Sequence, residues 1–376
     1  MEAYLDNSAT TQLCEEAIAE MTDMLKNNFG NPSSLHKVGT KAHLSLQSAR
    51  EAVAKKLGCE AKEVYFTSGG TQSNNIAVLG AVNALSRRGK KIVTTAIEHP
   101  SVEECMKALE KRGFEVVRLM PENDGKISVE ALKNAIDKNT ILVSVMAVNN
   151  EIGSIQPVNM IKPIIQKAGS PALVHTDCVQ AFGKIPVSPS KLGADIISIS
   201  SHKIHGPKGA GALYVRKGIR LLPEVYGGGQ ENAVRSGTEP MPAIIGFSAA
   251  VNALPDIKAE FEQVKHIRDY FLDKIKKEEA ITVNSPEDAL PYIINISVEG
   301  LRSEPMLNLL SDMGIYVSSG SACAKGHKSK VLESLGFEDD RIDSALRISL
   351  SRFTTKQEMD YLFEGIKKCQ AQIRKK

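Results

Sequence analysis

The 376-residue sequence contains no tryptophan, and aromatic residues make up only 5% of it. No stretch approaches the roughly 18 consecutive apolar residues that a membrane-spanning helix needs. Neither sign of charge dominates, because 47 Lys and Arg residues stand against 44 Asp and Glu residues, for a net charge of +3. These features argue against direct membrane contact and against a nucleic-acid surface as the main function, and they favour a small, uncharged partner.

Cysteine is sparse and widely scattered, at positions 14, 59, 105, 178, 323 and 369. No two cysteines form a C-x-x-C pair, which argues against a disulfide framework and a structural zinc site. We therefore expect free thiols and no metal. The first residues, Met1 to Asp6, lack the basic and apolar regions of a secretory signal, so we expect a cytoplasmic protein.

Hydrophobic residues make up 42% of the chain and charged residues 24%, an ordinary globular composition. This length predicts two structural units, since domains typically have roughly 100–200 residues. The predicted strands are 64–67, 91–95, 114–119, 141–148, 172–176, 196–200 and 212–215, and the predicted helices among them are 101–112, 128–136 and 158–168, after a first helix at 42–57. Apolar strands separated by helices indicate an α/β domain with a parallel or mixed sheet.

The pattern changes after Pro255. A long amphipathic helix is predicted at 258–277, followed by strands at 292–298 and 315–318 and helices at 304–312 and 355–368. This mixture predicts a smaller α+β domain, with a boundary near residue 256.

Two candidate catalytic residues follow neighbouring predicted strands. Lys203 comes after strand 196–200 and Asp177 after strand 172–176. In a doubly wound sheet such strand ends converge on one crevice, so the two side chains can face the same ligand. A lysine amine and an acidic partner for a ring nitrogen are what pyridoxal phosphate requires. Taken singly, each residue has a simpler interpretation. Lys203 could be a surface lysine in a Gly-rich loop, and Asp177 could be a helix-capping aspartate.

Three further segments could complete such a site. Ser68-Gly-Gly-Thr71 leads from a strand into a helix and offers N–H groups to a phosphate. His99 follows strand 91–95, where a flat imidazole could stack on a ring and relay protons. Asn150 follows strand 141–148 and could reach the crevice, although paired Asn residues usually mark a turn.

The chain as a whole resembles the cysteine desulfurases, which belong to the class V aminotransferase group of fold-type I pyridoxal-phosphate enzymes. The resemblance runs in order from about residue 4 to about residue 355. It rests on Tyr4-Leu-Asp6-Asn-Ser-Ala-Thr-Thr11, Phe29-Gly-Asn31-Pro-Ser, Ser68-Gly-Gly-Thr71, Glu98-His99, Asn149-Asn150-Glu151, Asp177-x-x-Gln180, Ser200-x-His202-Lys203, Gly227-Gly-Gly-Gln230, Arg235-Ser-Gly-Thr238 and Ser319-Gly-Ser-Ala-Cys323.

The resemblance implies a large domain, residues 14–256, containing a mixed, mostly parallel seven-stranded sheet. It also implies a smaller α+β domain formed by residues 1–13 and 257–376, which would carry the loop with a catalytic cysteine, Cys323. It further implies a homodimer that binds pyridoxal 5′-phosphate.

The resemblance also implies a role for each cofactor-binding residue. Lys203 would bind the cofactor covalently, Asp177 would pair with the pyridinium nitrogen and His99 would stack on the ring. The 3-oxygen side of the cofactor would be contacted by Gln180 and Asn150. The phosphate would be held by Gly70, Thr71, Ser200 and His202, with Thr238 contributed by the second subunit.

For the substrate, the resemblance implies that Arg352 binds the carboxylate of L-cysteine, near Asn31 and Asn150. Otherwise Arg347 and Arg352 would be ordinary surface arginines. The catalytic residues would be Lys203, His99 and Cys323. Lys203 would carry the Cα proton and the Cys323 thiolate would take the sulfur, leaving a persulfide and releasing alanine. Lys325, His327 and Lys328 would favour the thiolate.

Several alternatives stay open from the sequence. A selenocysteine lyase would use the same cofactor chemistry, and a non-catalytic sulfur-relay or assembly protein could retain the fold. A nucleotide-binding enzyme is disfavoured because no P-loop follows the Gly-rich turn. The sulfur acceptor could be an iron–sulfur scaffold, a tRNA-thiolation protein or a thiamine-synthesis protein, and the segment after Cys323 is shorter than in the housekeeping iron–sulfur-assembly type. Cys178, where many relatives have alanine, could simply pack.

Overall fold

A computed structural model describes residues 1–319 and 328–374 of the chain. Within these ranges the strands are β1 (Ala3–Tyr4), β2 (Val64–Thr67), β3 (Lys91–Thr95), β4 (Glu115–Leu119), β5 (Thr140–Ser144), β6 (Leu173–Asp177), β7 (Ile196–Ser200), β8 (Gly211–Val215), β9 (Ile281–Val283), β10 (Ile293–Val298), β11 (Ile315–Tyr316) and β12 (Ala345–Ser349). The helices are α1 (Glu15–Asn27), α2 (Lys37–Leu57), α3 (Gly70–Leu85), α4 (Pro100–Lys111), α5 (Val129–Ala135), α6 (Ile161–Ala168), α7 (Pro189–Leu192), α8 (Met241–Asn252), α9 (Ile257–Ile275), α10 (Ser303–Asp312), α11 (Lys330–Ser334), α12 (Asp339–Asp343) and α13 (Lys356–Gln372).

The central sheet has seven strands in the order β2-β8-β7-β6-β5-β3-β4. Neighbouring strands from β7 to β4 pair in parallel, and only β8 runs antiparallel to its two neighbours in this sheet. Every residue of β5, β7 and β8 is buried, as expected for strands covered on both faces. The predicted α/β class with a mixed, mostly parallel seven-stranded sheet is confirmed.

A polar ladder crosses three of the parallel strands inside the sheet. His175 of β6 bonds through Nδ1 to Ser144 Oγ of β5 at 2.8 Å and through Nε2 to Ser198 Oγ of β7 at 3.0 Å. Complete burial lowers the pKa of His175 to about 3, because the charged imidazolium would lose its hydration there. The ladder therefore holds a neutral histidine and ties together the strands that end at the candidate site.

The remaining strands form two smaller sheets. An antiparallel sheet has the order β12-β10-β9, and β1 pairs in parallel with β11. The N-terminal segment joins this second region, since Leu5 N–H donates to Tyr316 O and Asn7 N–H donates to Ser349 O. Asp256, where the domain boundary was predicted, is the N-cap of α9 and accepts a hydrogen bond from Ala259 N. The two-domain division stays a prediction.

Several elements differ from the sequence-based expectations, and helix α1 is one that was not predicted. The strand predicted over 141–148 ends at Ser144, and a turn follows at residues 149–152, where the Asn149 side chain accepts hydrogen bonds from Glu151 N and Ile152 N. Helix α8 was not predicted, since it is buried almost all round and so lacks an apolar periodicity. Among the described residues, no helix combines the length and apolar character required to cross a membrane.

Candidate active site

The N-terminus of α3 forms one wall of a cavity of about 480 Å³ at the carboxyl-terminal edge of the parallel strands. The cavity is lined by Ala9, Thr10, Ser68, Gly69, Gly70, Thr71, Gln72, Ser200, His202, Lys208 and Gly209. Its volume is within the range of about 300–1,000 Å³ that small-molecule sites occupy. Four residues predicted to hold the phosphate, Gly70, Thr71, Ser200 and His202, thus lie around one cavity.

Gly69 allows the backbone to turn tightly into α3. Its φ of 143° is a conformation that residues with a Cβ rarely adopt, and no side chain of the described residues caps the helix. The first N–H groups of an α-helix have no partners within the helix, and the helix dipole adds a partial positive charge at this end. The wall is therefore suited to bind an anion.

Ser200 lies opposite this helix end. Its Oγ is buried and has no hydrogen-bond partner in the described part of the chain. A buried hydroxyl without a partner is costly, and a group bound in the cavity could satisfy it. His202 bonds through Nδ1 to Thr10 Oγ1 at 3.3 Å, and burial lowers its pKa to about 4, so it is neutral near pH 7.

Asp177 and His99 are linked by a chain of hydrogen bonds that the sequence analysis missed. Asn74, on the second turn of α3, donates to Asp177 Oδ2 at 2.7 Å and to Ser101 Oγ at 2.8 Å. Ser101 Oγ in turn lies 2.8 Å from His99 Nδ1. The sequence offers one signal for Asn74. It is a polar residue at a buried position of α3, the helix that follows the Gly-rich turn.

His99 is the N-cap of α4, and its Nδ1 accepts a hydrogen bond from Ser101 N at 3.1 Å. Burial lowers the pKa of His99, the negative charge of Asp177 opposes that shift, and the positive charge of Lys203 adds to it. The three predicted residues are therefore close enough to influence one another. Burial raises the pKa of neighbouring Glu98 to about 8, and Glu98 Oε1 accepts hydrogen bonds from Met146 N and Thr95 Oγ1, each at 2.8 Å.

Lys203 reaches toward the turn at residues 6–10. Its Nζ donates to the carbonyl oxygens of Ser8 and Ala9, the latter at 2.6 Å, and Ala9 lines the cavity. The short helical turn Ser201–Lys203 follows β7 directly and fixes the start of this side chain. An amine held by two carbonyls beside the cavity is well placed to meet an aldehyde.

Gln180 is oriented by groups of the protein itself. Its Nε2 donates to Ser8 O at 3.0 Å, and its Oε1 accepts from Lys184 Nζ at 3.2 Å. Lys184 was not predicted as part of the site. Burial, together with the positive charge of Lys203, lowers the pKa of Lys184 to about 7.

The two C-terminal arginines occupy different surroundings. Arg347, in β12, is buried, donates from Nη1 to Asn150 O at 3.1 Å and pairs from Nη2 with Asp6 Oδ1 at 2.8 Å. Its Nε is buried without a hydrogen-bond partner among residues 1–319 and 328–374. Arg352 follows the strand, donates to Ala253 O at the end of α8 and lies over the Phe353 ring.

Four residues named in the expectations about the substrate and trans sites have the positions described next, and their roles stay predictions. Arg347 is a buried residue beside Asn150, not a surface arginine, and Arg352 is directed to the end of α8. Asn31 is exposed, with its Oδ1 bonded to Ser33 N, and it does not line the cavity. Thr238 is also exposed, and its carbonyl accepts from Arg235 of the same chain.

Cys323, Lys325 and His327 lie outside the described residues. The other cysteines are buried or half-buried. Burial raises the pKa of Cys59 to about 12 and those of Cys105 and Cys369 to about 11, and it raises that of Cys178 as well. Cys178 packs in the core. Lys328, expected to support a thiolate, pairs with Asp339 at 2.6 Å.

These residues fit pyridoxal 5′-phosphate. The orphaned Ser200 hydroxyl and the open end of α3 suit a phosphate, the restrained Asp177 carboxylate suits a protonated ring nitrogen, and the Lys203 amine suits an aldehyde. Across the described ranges, no cluster of His, Cys, Asp or Glu side chains has the arrangement of a metal site.

We expect Ser200→Ala to weaken binding of the cofactor by the apoprotein. Loss of a hydrogen bond to a charged phosphate costs about 1.5–3 kcal/mol, which corresponds to ~10-fold or more in Kd. Titration of the visible absorbance of bound pyridoxal phosphate measures the change. Ser201→Ala is the matched control, because Ser201 Oγ is also buried without a partner in the described chain but does not line the cavity. Equal effects of the two variants would contradict the assignment.

Comparisons with known proteins show the family of the chain. The model of the family described as "Aminotransferase class-V" matches residues 3–362. Cysteine desulfurase IscS of Dictyoglomus turgidum is 40% identical, with 99% of this chain and 95% of the relative covered. Cysteine desulfurase IscS of Methanosarcina thermophila is also 40% identical, with 96% and 90% covered.

Solved structures extend the similarity to three dimensions. A structure described as a NifS-like protein superposes with a TM-score of 0.93 at 37% identity, covering 99% of this chain and 100% of that one. One described as SspA in complex with cysteine has a TM-score of 0.83 at 33% identity, with 94% and 100% covered. The chain therefore belongs to the class-V aminotransferase family, among its pyridoxal-phosphate-dependent cysteine desulfurases.

Proposed function

We propose that this protein is a cysteine desulfurase that converts L-cysteine to L-alanine and retains the sulfur as a persulfide on Cys323. The observation that carries the proposal is the arrangement around α3. The open end of this helix lines the cavity, its Asn74 holds the Asp177 carboxylate, and the Lys203 amine donates to Ala9, which lines the same cavity. Relatives named cysteine desulfurase match almost the whole chain, and one similar structure is described with cysteine bound.

The cofactor, when bound, withdraws electrons from the Cα of the amino acid attached to it. The protein supplies the groups that hold and move protons around that atom. The Lys203 amine is the proposed proton carrier at Cα, and the Asp177 carboxylate, fixed by Asn74, keeps a positive charge on the ring nitrogen. His99, the N-cap of α4, is the group proposed to stack on the ring.

Sulfur transfer exchanges one bond for another. The S–S bond forms between Cys323 Sγ and the substrate sulfur, while the C–S bond of the substrate breaks. The three-carbon product takes up a proton and leaves as alanine, so thiol plus cysteine gives persulfide plus alanine without an external oxidant or reductant. Cys323 is the proposed nucleophile because burial raises the pKa of each of the other five cysteines and so disfavours their thiolates: Cys14, Cys59, Cys105, Cys178 and Cys369.

Arg347 is the proposed ligand of the substrate carboxylate, in place of Arg352. Its guanidinium is bonded to the Asn150 carbonyl and retains a buried Nε donor. Its partner Asp6 starts the turn whose carbonyls receive Lys203. A planar guanidinium in this position can offer a carboxylate paired N–H donors.

A homodimer is proposed as the assembly in which the site is complete. Thr238 and Asn31, both expected at the site, are exposed in the single chain. Large apolar side chains near them are exposed as well, namely Tyr226 (83%), Phe29 (80%) and Leu35 (100%). Such exposed apolar groups mark a surface that a second copy could cover, and symmetric dimers bring the same segments to each other's sites.

The acceptor of the persulfide sulfur is proposed to be another protein, such as an iron–sulfur scaffold or a tRNA-thiolation protein. A cytoplasmic location and the absence of direct membrane or nucleic-acid contact stay predictions from the sequence.

The first test of the function is Cys323→Ser. We expect the variant to keep the visible absorbance of the cofactor and its change when L-cysteine is added, because binding does not use the thiol. Alanine release should fall on the order of 100-fold or more, since serine is a poor nucleophile toward sulfur. Alanine is quantified by chromatography, and the persulfide by mass spectrometry of alkylated peptides. Cys59→Ser is the matched control. Undiminished alanine release by Cys323→Ser would disprove the assigned nucleophile.

The second test compares the two arginines by the same substitution. Arg347→Lys removes the two N–H donors that the guanidinium can offer to one carboxylate, and hydrogen bonds to a charged group contribute about 1.5–3 kcal/mol. KM for L-cysteine should therefore rise ~10-fold or more, with a smaller change in kcat. Arg352→Lys should change KM by less than about 2-fold, because the Arg352 guanidinium is bonded to Ala253 O at the end of α8. Steady-state kinetics decides between them, and the reverse pattern would restore Arg352 as the carboxylate ligand.

A further inference from the structure

A buried lysine that the proposed reaction does not use lies next to Gln180. Lys184 is only 6% exposed, and its Nζ donates to Gln180 Oε1 at 3.2 Å. Lysine is almost never fully buried unless its amine is paired, because an amine loses its hydration in the interior. The hydrogen-bond partner here is a neutral amide oxygen and not a carboxylate, so the pair is not an ordinary ion pair.

A tight turn directs this side chain back to Gln180. Gly183 has a φ of 80°, in the left-handed region, and Lys184 N–H donates to Ala181 O at 3.0 Å. A Cβ at position 183 would lie 2.9 Å from Ile204 Cγ2, so glycine lets the turn pack closely against the residue that follows Lys203. The turn therefore places Lys184 beside the cofactor-binding segment.

The amine also faces an aromatic ring from the second region of the fold. Lys184 Nζ lies 5.5 Å from the centroid of the Tyr292 ring, a distance at which a cation is attracted to the ring face. Tyr292 immediately precedes β10, and its hydroxyl donates to Glu260 Oε1 of α9 at 2.8 Å. Both residues are buried. The amine is thus fixed between Gln180 on one side and the Tyr292–Glu260 pair on the other.

Several charges act on this amine. Burial and the positive charges of Lys203 and Arg347 lower the pKa of Lys184, the negative charge of Glu260 opposes them, and the resulting pKa is about 7. The Lys184 charge in turn lowers the pKa of two histidines, His202 and His205. An amine has N–H donors in both its charged and its neutral form, so the hydrogen bond to Gln180 does not depend on which form predominates.

The Lys184 contact determines the orientation of the Gln180 amide. An amide oxygen only accepts and an amide nitrogen only donates. Oε1 accepts from Lys184, while Nε2 donates to Ser8 O at 3.0 Å. A reversed amide would bring its nitrogen against the amine and its oxygen against the Ser8 carbonyl, so both hydrogen bonds would be lost.

The orientation matters for the expected contact between Gln180 and the 3-oxygen of the cofactor. The amide nitrogen has two N–H donors, and Ser8 O accepts from one of them. The second N–H is the group that the cofactor contact requires. An amide turned the other way would present an oxygen to the 3-oxygen of the cofactor and repel it.

We propose that Lys184 is a positioning residue, which acts through Gln180 to keep the amide nitrogen, rather than the amide oxygen, turned toward the cofactor. The inference rests on the proposed function, because the contact of Gln180 with the cofactor belongs to the site proposed there.

The experiment compares Lys184→Met, Gln180→Met and the double variant with the wild type. The Kd of the apoprotein for pyridoxal phosphate is measured by absorbance titration. Gln180→Met, which removes the N–H donor to a charged oxygen, should raise this Kd ~10-fold. Lys184→Met should raise it at least ~3-fold, because the amide is no longer held in one orientation.

A spectroscopic readout tests the same contact without catalysis. The midpoint of the pH-dependent change in the visible absorbance of the loaded protein should move to higher pH by about 0.5 unit or more in both single variants. Without its N–H donor, the 3-oxygen carries more negative charge and keeps a proton on the nearby Lys203 nitrogen more strongly.

The double variant separates positioning from a direct effect of the Lys184 charge. If Lys184 acts through the amide, Gln180→Met/Lys184→Met should match Gln180→Met within about 2-fold in Kd and in its absorbance midpoint, because the amide is already absent. A direct effect of the charge would instead add to the effect of Gln180→Met.

Lys162→Met is the matched control for loss of a lysine contact. Lys162 Nζ, in α6, donates to both carboxylate oxygens of the buried Asp195, at 2.9 and 2.7 Å, and Lys162 does not line the cavity. This variant should leave the Kd and the absorbance midpoint unchanged.

Wild-type values in Lys184→Met, additive losses in the double variant, or an equal change in Lys162→Met would each overturn the inference. None of these measurements detects alanine or persulfide, so those results would leave the proposed function intact. A wild-type protein that binds pyridoxal phosphate but forms no alanine from L-cysteine would instead refute the function and leave the role of Lys184 standing.

Discussion

The common direction of the strands in the central sheet is the constraint on which the site depends. Because β2, β3, β5, β6 and β7 run the same way, the segments that follow them meet at one edge. Four of them each contribute one kind of chemistry: anion-binding N–H groups after β2, an imidazole after β3, a carboxylate at the end of β6 and an amine after β7. The His175 ladder lies beneath this edge and fixes three of the strands relative to one another.

The N-terminal segment connects this edge with the second region of the fold. Ser8 N–H donates to Ser349 Oγ of β12, while the Ser8 carbonyl accepts from Lys203 and Gln180. Asp6 pairs with Arg347 in the same strand. A displacement of β12 would therefore shift both the Lys203 amine and Arg347, the proposed substrate ligand. This coupling gives a physical reason why the extreme N-terminus and the last strand contribute to one reaction.

Much of the architecture could be predicted from the sequence, because alternating apolar strands and capped helices are local signals. Lys203, Asp177 and His99 were identified by their places after strands, where parallel topology makes them converge. Local signals do not reveal long-range partners, so Asn74, which links Asp177 to Ser101, was missed. Two arginines five residues apart look alike in sequence; only the pairing of β12 with β10 shows that Arg347 is buried beside Asn150 while Arg352 leaves the strand. Helix α8 was missed because burial on nearly all sides removes its periodicity.

The central claim is that the site removes sulfur from L-cysteine and keeps it on the protein. The most direct measurement mixes cofactor-loaded enzyme, without reductant, with excess L-cysteine and quantifies the products of the first turnover. The account predicts alanine and protein-bound sulfane sulfur in equal amounts, one of each per active site. Pyruvate and free sulfide in place of alanine and bound sulfur would contradict it, because they would show elimination at the substrate without transfer to a thiol of the chain.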